Sequence, residues 1–400
     1  MQNRLAFLDA FLIQHQTLWR FEPFQLSRHP AYPWQGSHHE LCQWLDRLSF
    51  PEVDALLASE ADLLRHLAPY IQDLQQAAKY TEFATIHSAL PALSSVLDNG
   101  IPGRKLSQIQ ALSAHALSSS FGDSWLEWCA GKGFLGRQLC VHSLKPVLSL
   151  EYQQGLCDAG ETLVNTLGIT GQQFQQMDVL SEEVDAFVQP SQHAVALHAC
   201  GDLHQTLLRK VVERGLVATT ISPCCYHLTA SESYQPLSLY GQASSLNLTR
   251  QELRIPLQQT VTGGERVKRH RQQEMIFRLG FDELLRAELG YQQYLPIPSI
   301  KKSLLSQGFE AFCRWAAEQK ELTLPNQQFE HYQQLGQQRF ERMEKLSLVQ
   351  SAFKRILEVW LVLDKALYLQ EHGYQVAVNV FCSREVTPRN LVIQATKPSE

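Results

Sequence analysis

A doubly wound α/β sheet closed by a reversed hairpin is the fold that three observations in this 400-residue sequence predict. Five apolar, strand-like runs, over residues 124–128, 146–150, 174–177, 193–199 and 218–221, alternate with helix-length segments. That is the pattern of a parallel sheet with helices on both faces. A glycine turn, with Gly131, Gly133 and Gly136, follows the first run. Two further β runs, 374–382 and 390–396, are joined by only seven residues, and so short a link permits only an antiparallel hairpin, since a parallel crossover needs about a dozen residues or more.

Taken in order, the first hundred residues read as helices joined by aromatic and proline-rich turns. Leu5, Phe7, Leu8, Phe11 and Leu12 share one helical face, and a second stripe runs through Leu56, Leu57, Leu63, Leu64, Leu67, Ile71 and Leu74, the period of an amphipathic helix. Between them, Pro23, Pro30 and Pro33 exclude regular helix over 21–36. Gly100-Ile101-Pro102-Gly103 is punctuated enough to mark a boundary. The strand alternation stops after His227, and the next 140 or so residues look helical, among them the amphipathic stretch 353–369. The organisation expected is a helical N-terminal region over 1–103, a core over 104–227 and 373–400, and a helical insertion over 228–372.

Composition removes whole classes. At 44% hydrophobic and 19% charged residues the chain is globular rather than disordered, and no run of about 18 apolar residues could span a bilayer. Asp9, Gln14, His15 and Gln16 break up the first twenty residues, which carry no signal-peptide pattern. The nine cysteines, an odd number, read as free thiols, so the cytoplasm is the expected compartment, with no membrane contact and no protein partner indicated. Net charge is −5, but residues 228–372 hold 18 Lys and Arg against 16 Asp and Glu, densest at Arg266, Lys268, Arg269, His270 and Arg271. A solvated helix face explains such a cluster as well as a nucleic-acid patch does.

The glycine turn bears on a cofactor. Gly131, Gly133 and Gly136 satisfy G-x-G-x-x-G, in which missing Cβ atoms let backbone approach a nucleotide. Glu151 lies 18 residues after Gly133 at the end of the next strand, where a carboxylate can accept from both ribose hydroxyls. NAD and S-adenosylmethionine both fit. Three features favour the second: Glu127, four residues ahead of Gly131, suits a cationic methionine portion; Asp178 ends the third strand where it can accept from an adenine amino group; and the terminal hairpin has no counterpart in the usual all-parallel dehydrogenase sheet.

The segment from Glu127 to Gly133 resembles the first motif of class I S-adenosylmethionine-dependent methyltransferases, acidic-x-G-x-G-x-G, with Cys129 in place of the first glycine. His198-Ala199-Cys200-Gly201-Asp202-Leu203, Ser222-Pro223-Cys224-Cys225-Tyr226-His227 and Thr387-Pro388-Arg389-Asn390 resemble segments of a methyltransferase-like branch. That branch includes the glutathione S-transferase C-terminal domain-containing protein, and it is similar more distantly to a tRNA ribose 2'-O-methyltransferase. The resemblance covers roughly residues 100–228 and 355–396. It implies a Rossmann-like methyltransferase sheet, S-adenosylmethionine as cofactor, and contacts to it from Glu127, Cys129, Gly131, Gly133, Glu151, Asp178 and His198.

Ligands of a doubly wound sheet sit beyond the carboxyl ends of its strands, where Cys129, His198, Cys200, Cys224, Cys225 and His227 all fall. Three readings of this constellation stay open. The cysteines pack as small hydrophobes; or they ligate zinc, against which stand the adjacency of Cys224 and Cys225 and the lack of any C-x-x-C pair; or His198, Asp202 and His227 position and deprotonate the acceptor. A cysteine nucleophile at Cys224 or Cys225 would need a depressed thiol pKa or an adjacent base. The expectation adopted is catalysis by His198, Asp202 and His227, acceptor contacts from Tyr226, Arg389 and Asn390, and no metal. The expected activity is methyl transfer from S-adenosylmethionine to RNA, tRNA or rRNA. A small-molecule or protein methyltransferase, a non-catalytic nucleotide-binding module and an NAD-linked oxidoreductase stand as alternatives.

Overall fold

The computed structural model describes residues 1–86, 98, 101–119, 121–258, 264–324 and 328–398. Gly100 of the expected boundary lies outside them. Two compact units divide the chain, one of residues 1–14, 76–258 and 354–400, the other of 15–75 and 259–353. These divisions run elsewhere than at 103, 227 and 372. Composition separated the insertion from the core, whereas contacts join 228–258 and the helix Lys354–Glu371 to the sheet.

The first unit holds a seven-stranded sheet: β1 (Ser124–Trp128), β2 (Val147–Glu151), β3 (Gln172–Gln176), β4 (Gln192–Cys200), β5 (Ala218–Cys224), β6 (Gln375–Val380) and β7 (Leu391–Thr396). Their order is β3-β2-β1-β4-β5-β7-β6, with the first five parallel and β7 antiparallel to both β5 and β6. All seven strands and the reversed hairpin were expected from sequence. β1 is buried on both faces from Trp125 to Trp128, with Glu127 the one acid among its apolar residues. Trp125 and Trp128 are fully buried, and their indoles donate to Ser143 Oγ at 2.9 Å and to the Leu203 carbonyl at 3.0 Å. Strand order reverses between β1 and β4, the position at which an open α/β sheet leaves a crevice for a ligand.

Helix Lys354–Glu371 is buried on nearly every side. Its Asp364 carboxylate accepts from the Tyr234 hydroxyl at 2.7 Å, the N–H groups of Leu237 and Ser238 at 2.9 and 3.0 Å, and the Ser238 hydroxyl at 2.7 Å. This anchors the segment after β5. Lys365 donates to the Tyr234 hydroxyl at 2.7 Å, and its ammonium lies 5.2 and 4.8 Å from the Tyr226 and Tyr234 ring centroids.

The second unit is helical. Helices Glu265–Leu289 and Phe329–Ser351 pack along each other, with glycines at the crossing. A Cβ on Gly336 would meet the Ile276 carbonyl oxygen at 2.4 Å, and one on Gly280 the Tyr332 carbonyl oxygen at 2.6 Å. Buried Arg339 binds Asp282 at 2.7 Å and Glu283 at 2.8 Å. No helix among the described residues is long and apolar enough to cross a membrane.

Three imidazoles, of His115, His193 and His204, are buried in the sheet unit among the described residues, and two of them titrate far from the ordinary range. His193 lies against Trp125 with ring centroids 4.5 Å apart and Nε2 2.9 Å from the Thr220 hydroxyl, and His204 Nδ1 is 3.0 Å from the Ala199 carbonyl. Burial, with Lys145 and Lys365 adding, pushes both down to about 3. A histidine whose folded pKa is depressed contributes stability that is complete above its unfolded value and is lost as pH falls toward the folded one. Unfolding free energy should therefore drop by about 1.4 kcal/mol per pH unit for each of them between roughly pH 6 and 4. Urea titrations of His193→Gln and His204→Gln check this: each variant loses one proton's worth of slope, and an unchanged slope rules it out.

Candidate active site

The turn after β1 is built around left-handed backbone. Cys129, Gly131 and Gly133 have φ of 56°, 61° and 67°. Cys129 thus takes the conformation that glycine adopts freely, at a cost of roughly 1–2 kcal/mol. Its thiol is half-buried and is pushed up to about 12 by burial, with the charges of Glu151, Cys200 and Asp178 adding, so it stays protonated.

The three glycines do different work. A Cβ on Gly131 would meet nothing within 4 Å, so open space lies over it. One on Gly133 would strike the Phe174 ring at 2.4 Å, and one on Gly136 the Glu127 carboxylate at 2.4 Å. Gly133 therefore packs under β3, which leaves only its backbone to approach a cofactor.

Glu151 borders the open space. Its two carboxylate oxygens accept from the N–H of Gly131 at 2.8 Å and of Gln153 at 3.0 Å. Each carboxylate oxygen has a second lone pair, so acceptor capacity remains for hydroxyl donors. Asp178 lies two residues beyond β3, exposed, with Oδ1 accepting from the Leu180 N–H at 3.0 Å.

Glu127 is only 2% exposed. Its carboxylate accepts from the Ser149 hydroxyl at 2.6 Å and from the N–H groups of Leu135 and Gly136, in the first turn of helix Phe134–Ser143. Burial pushes this group up to about 7 against those donors and Arg137. An acid here caps the helix internally. Gln172 completes the network, donating to Ser149 Oγ at 3.0 Å and to the Gly133 carbonyl at 2.9 Å. Nothing in the sequence singled out Gln172 or Ser149.

Beyond β4 and β5, a cleft of about 60 Å³ is lined by Gln108, Leu197, His198, Ser222, Cys224, Thr387 and Arg389. His198 has φ of 71° and an exposed side chain. Desolvation lowers its pKa, and Lys105 and Arg389 act in the same direction. The β6–β7 connection is held over the strand ends by Ser222 Oγ donating to the Arg389 carbonyl at 3.4 Å and Gln108 donating to the Val386 carbonyl at 3.3 Å. Lys105 and Gln108 come from helix Gly103–Leu117, which carries no motif, so only the fold brings them here.

Three expected site residues turn out to be structural. Asp202 accepts the Ala230 N–H at 2.8 Å and donates its own N–H to the Leu228 carbonyl at 3.0 Å, bracing the loop after β5. Tyr226 is 2% exposed, packed beneath Lys365, and cannot touch an acceptor. Asn390 is 3% exposed and spends its amide on the Cys382 carbonyl at 2.9 Å. A short motif does not reveal which side of the strand end a side chain takes, and here these side chains face inward or across the loop.

Cys200, Cys224 and Cys225 have converged, with all three sulfurs within 4.8 Å of one another and Cys200 Sγ 3.5 Å from Cys224 Sγ. Hydrogen bonds from Cys200 and Cys224 hold the Cys225 thiol well below the ordinary thiol range, with Arg389 and His227 acting the same way. His227 is half-buried, and its Nδ1 has no hydrogen-bond partner. Its own pKa is lowered, by burial first and then by Arg254.

Residues 104–232 match the model of a protein family described as a methyltransferase domain. No curated protein matches the sequence. Among solved structures, EvdMO1 is 16% identical over 38% of this chain and 34% of its own, with a TM-score of 0.24. This chain thus spans about a third of the length of that protein. A SAM dependent methyltransferase from Aquifex aeolicus is 13% identical over 33% of this chain and 72% of its own, with a TM-score of 0.24. An rRNA methylase from Streptococcus thermophilus is 16% identical over 34% and 89%, with a TM-score of 0.23. At such scores these likenesses add nothing to the reading of the site.

The match is to a methyltransferase domain over residues 104–232, about a third of the chain, and the cofactor of such a domain is S-adenosylmethionine. The residues present fit that group: the space over Gly131 is open, and Glu151 at its border keeps acceptor capacity for hydroxyls. When bound, the cofactor supplies a methyl group activated on a sulfonium.

Proposed function

We propose that this methyltransferase takes RNA, tRNA or rRNA, as its acceptor, and that its first contact is electrostatic. The observation that carries this is in the second unit. Arg266, Arg269 and Arg271 stand exposed on the first turns of helix Glu265–Leu289 without an acidic partner among the described residues. Lys268 of the same run is bound to Asp54 at 2.5 Å. Beside Arg269 opens a cleft of about 710 Å³ lined by Gln272, Gln273, Gln333, Gln334 and Gln337, side chains that both donate and accept, together with Ile276, Phe277 and Glu330. Phosphate binding by arginine with amide groups alongside suits a nucleic acid better than an apolar metabolite. The similarity of 198–203 and 222–227 to a tRNA ribose 2'-O-methyltransferase supports a ribose hydroxyl as the acceptor atom.

On this reading Glu151 and the Gly131 backbone hold the cofactor, assisted by Cys129 and Asp178, while buried Glu127 braces the helix that follows the turn. His198 orients the acceptor in the cleft beyond β4, and Arg389 carries charge toward it. Asp202 keeps the loop after β5 in place.

Filter binding of bulk tRNA at a series of salt concentrations tests the acceptor. Replacing Arg266, Arg269 and Arg271 together by glutamine should weaken binding across sequences and reduce the salt slope by about 3, one per lost phosphate contact. Binding that is insensitive to salt, or unaltered in the triple variant, refutes the RNA reading and favours a small-molecule acceptor.

A further inference from the structure

We infer that Cys200, Cys224 and Cys225 are ligands of one thiophilic divalent cation, zinc under ordinary conditions, which ties the end of β4 to the end of β5. The sequence argues against such a site because adjacent cysteines seldom reach the same ion. In a strand, successive side chains point to opposite faces. The structure removes that objection in two places. Cys225 leaves β5 with φ of 46°, which breaks the alternation and turns its side chain toward that of Cys224. In β4 the pairing register with β5 shifts between Leu197 and Cys200, which sets Cys200 opposite Cys224.

The result has the dimensions of a coordination site. Thiolates at about 2.3 Å from a tetrahedral zinc lie about 3.8 Å apart; Cys200 and Cys224 are at 3.5 Å and the whole group lies within 4.8 Å. Packing alone does not require three thiols in mutual contact. Nor does it require left-handed backbone at a non-glycine residue, which costs about 1–3 kcal/mol.

Burial suits a bound ion. Cys224 is buried, while Cys200 and Cys225 are half-exposed, so one side of the site is open to entry. Three thiolates on a divalent ion leave one negative charge, and Arg389 is the cation in electrostatic range of Cys200 and Cys225. His227, two residues past Cys225, stands outside this group of three, so the fourth position of a tetrahedral ion is left to a water or another exogenous ligand. A thiolate donor set selects zinc over oxygen-preferring cations.

The test uses the full-length chain, reduced and stripped of metal, titrated with cobalt(II) and then with zinc. Uptake of one cobalt per chain with the intense visible bands of a tetrahedral thiolate complex, bleached by zinc, is the expected result. Cys200→Ser, Cys224→Ser and Cys225→Ser should each lower cobalt affinity by about 100-fold or more, and Cys42→Ser, in the second unit, should leave it unchanged. Because a serine variant could simply misfold, alkylation of the unmutated chain is followed by peptide mass spectrometry: zinc should protect these three cysteines and no others. Reduced protein that takes up no stoichiometric cobalt, serine variants that bind as well as the parent, or alkylation of the three thiols indifferent to zinc would each overturn the site.

Discussion

Gly131→Asn is expected to abolish S-adenosylmethionine binding in a chain that still folds. Asparagine tolerates the left-handed conformation that Gly131 holds at φ of 61°, and a Cβ there meets no protein atom within 4 Å. The new side chain has nowhere to go but the open space beside Glu151. Gly133→Ala is the contrasting case. Its Cβ would lie 2.4 Å from the Phe174 ring and 2.5 Å from the Gln172 amide nitrogen, so it should lose about 1–3 kcal/mol of stability through overpacking. Isothermal calorimetry beside thermal melting separates them. If Gly131→Asn binds the cofactor with parental affinity, the space over Gly131 is not the cofactor site.

His198→Ala is expected to lower methyl transfer by roughly 10²–10⁴, the usual magnitude for a positioned acid, base or hydrogen-bonding group, with cofactor affinity and melting temperature unchanged. His198 lies at the end of β4, beside the crevice that the strand order creates. Its side chain is exposed, unlike that of Tyr226 or Asn390. Asp202→Ala should behave otherwise. Removing the carboxylate that accepts from Ala230 unpins the loop, so stability and activity should fall together. A His198→Ala enzyme with the parental single-turnover rate would remove His198 from the reaction.

The sheet was legible because each of its strands is short, apolar and bounded by turn residues. The hairpin was legible because seven residues cannot make a parallel crossover. The place of Glu151 at the end of β2, though not its role, was legible from spacing alone. The division into units was not. Helix Lys354–Glu371 has the composition of its helical neighbours, but its buried Asp364 and Lys365 find their partners on the sheet side, at Tyr234 and Ser238. Motif matching did not reveal that Tyr226 and Asn390 are buried in packing. It missed the convergence of three thiols because a register shift and one left-handed residue leave no trace in spacing.

The most direct test of methyl transfer to RNA is incubation of the purified chain with methyl-tritiated S-adenosylmethionine. RNA, protein and small-molecule fractions from cells lacking the gene serve as acceptors. The expected result is label in RNA that is released as one methylated nucleoside on digestion and is lost with Gly131→Asn and His198→Ala. Label confined to the protein or small-molecule fraction, or label in RNA that both variants still deposit, would contradict it.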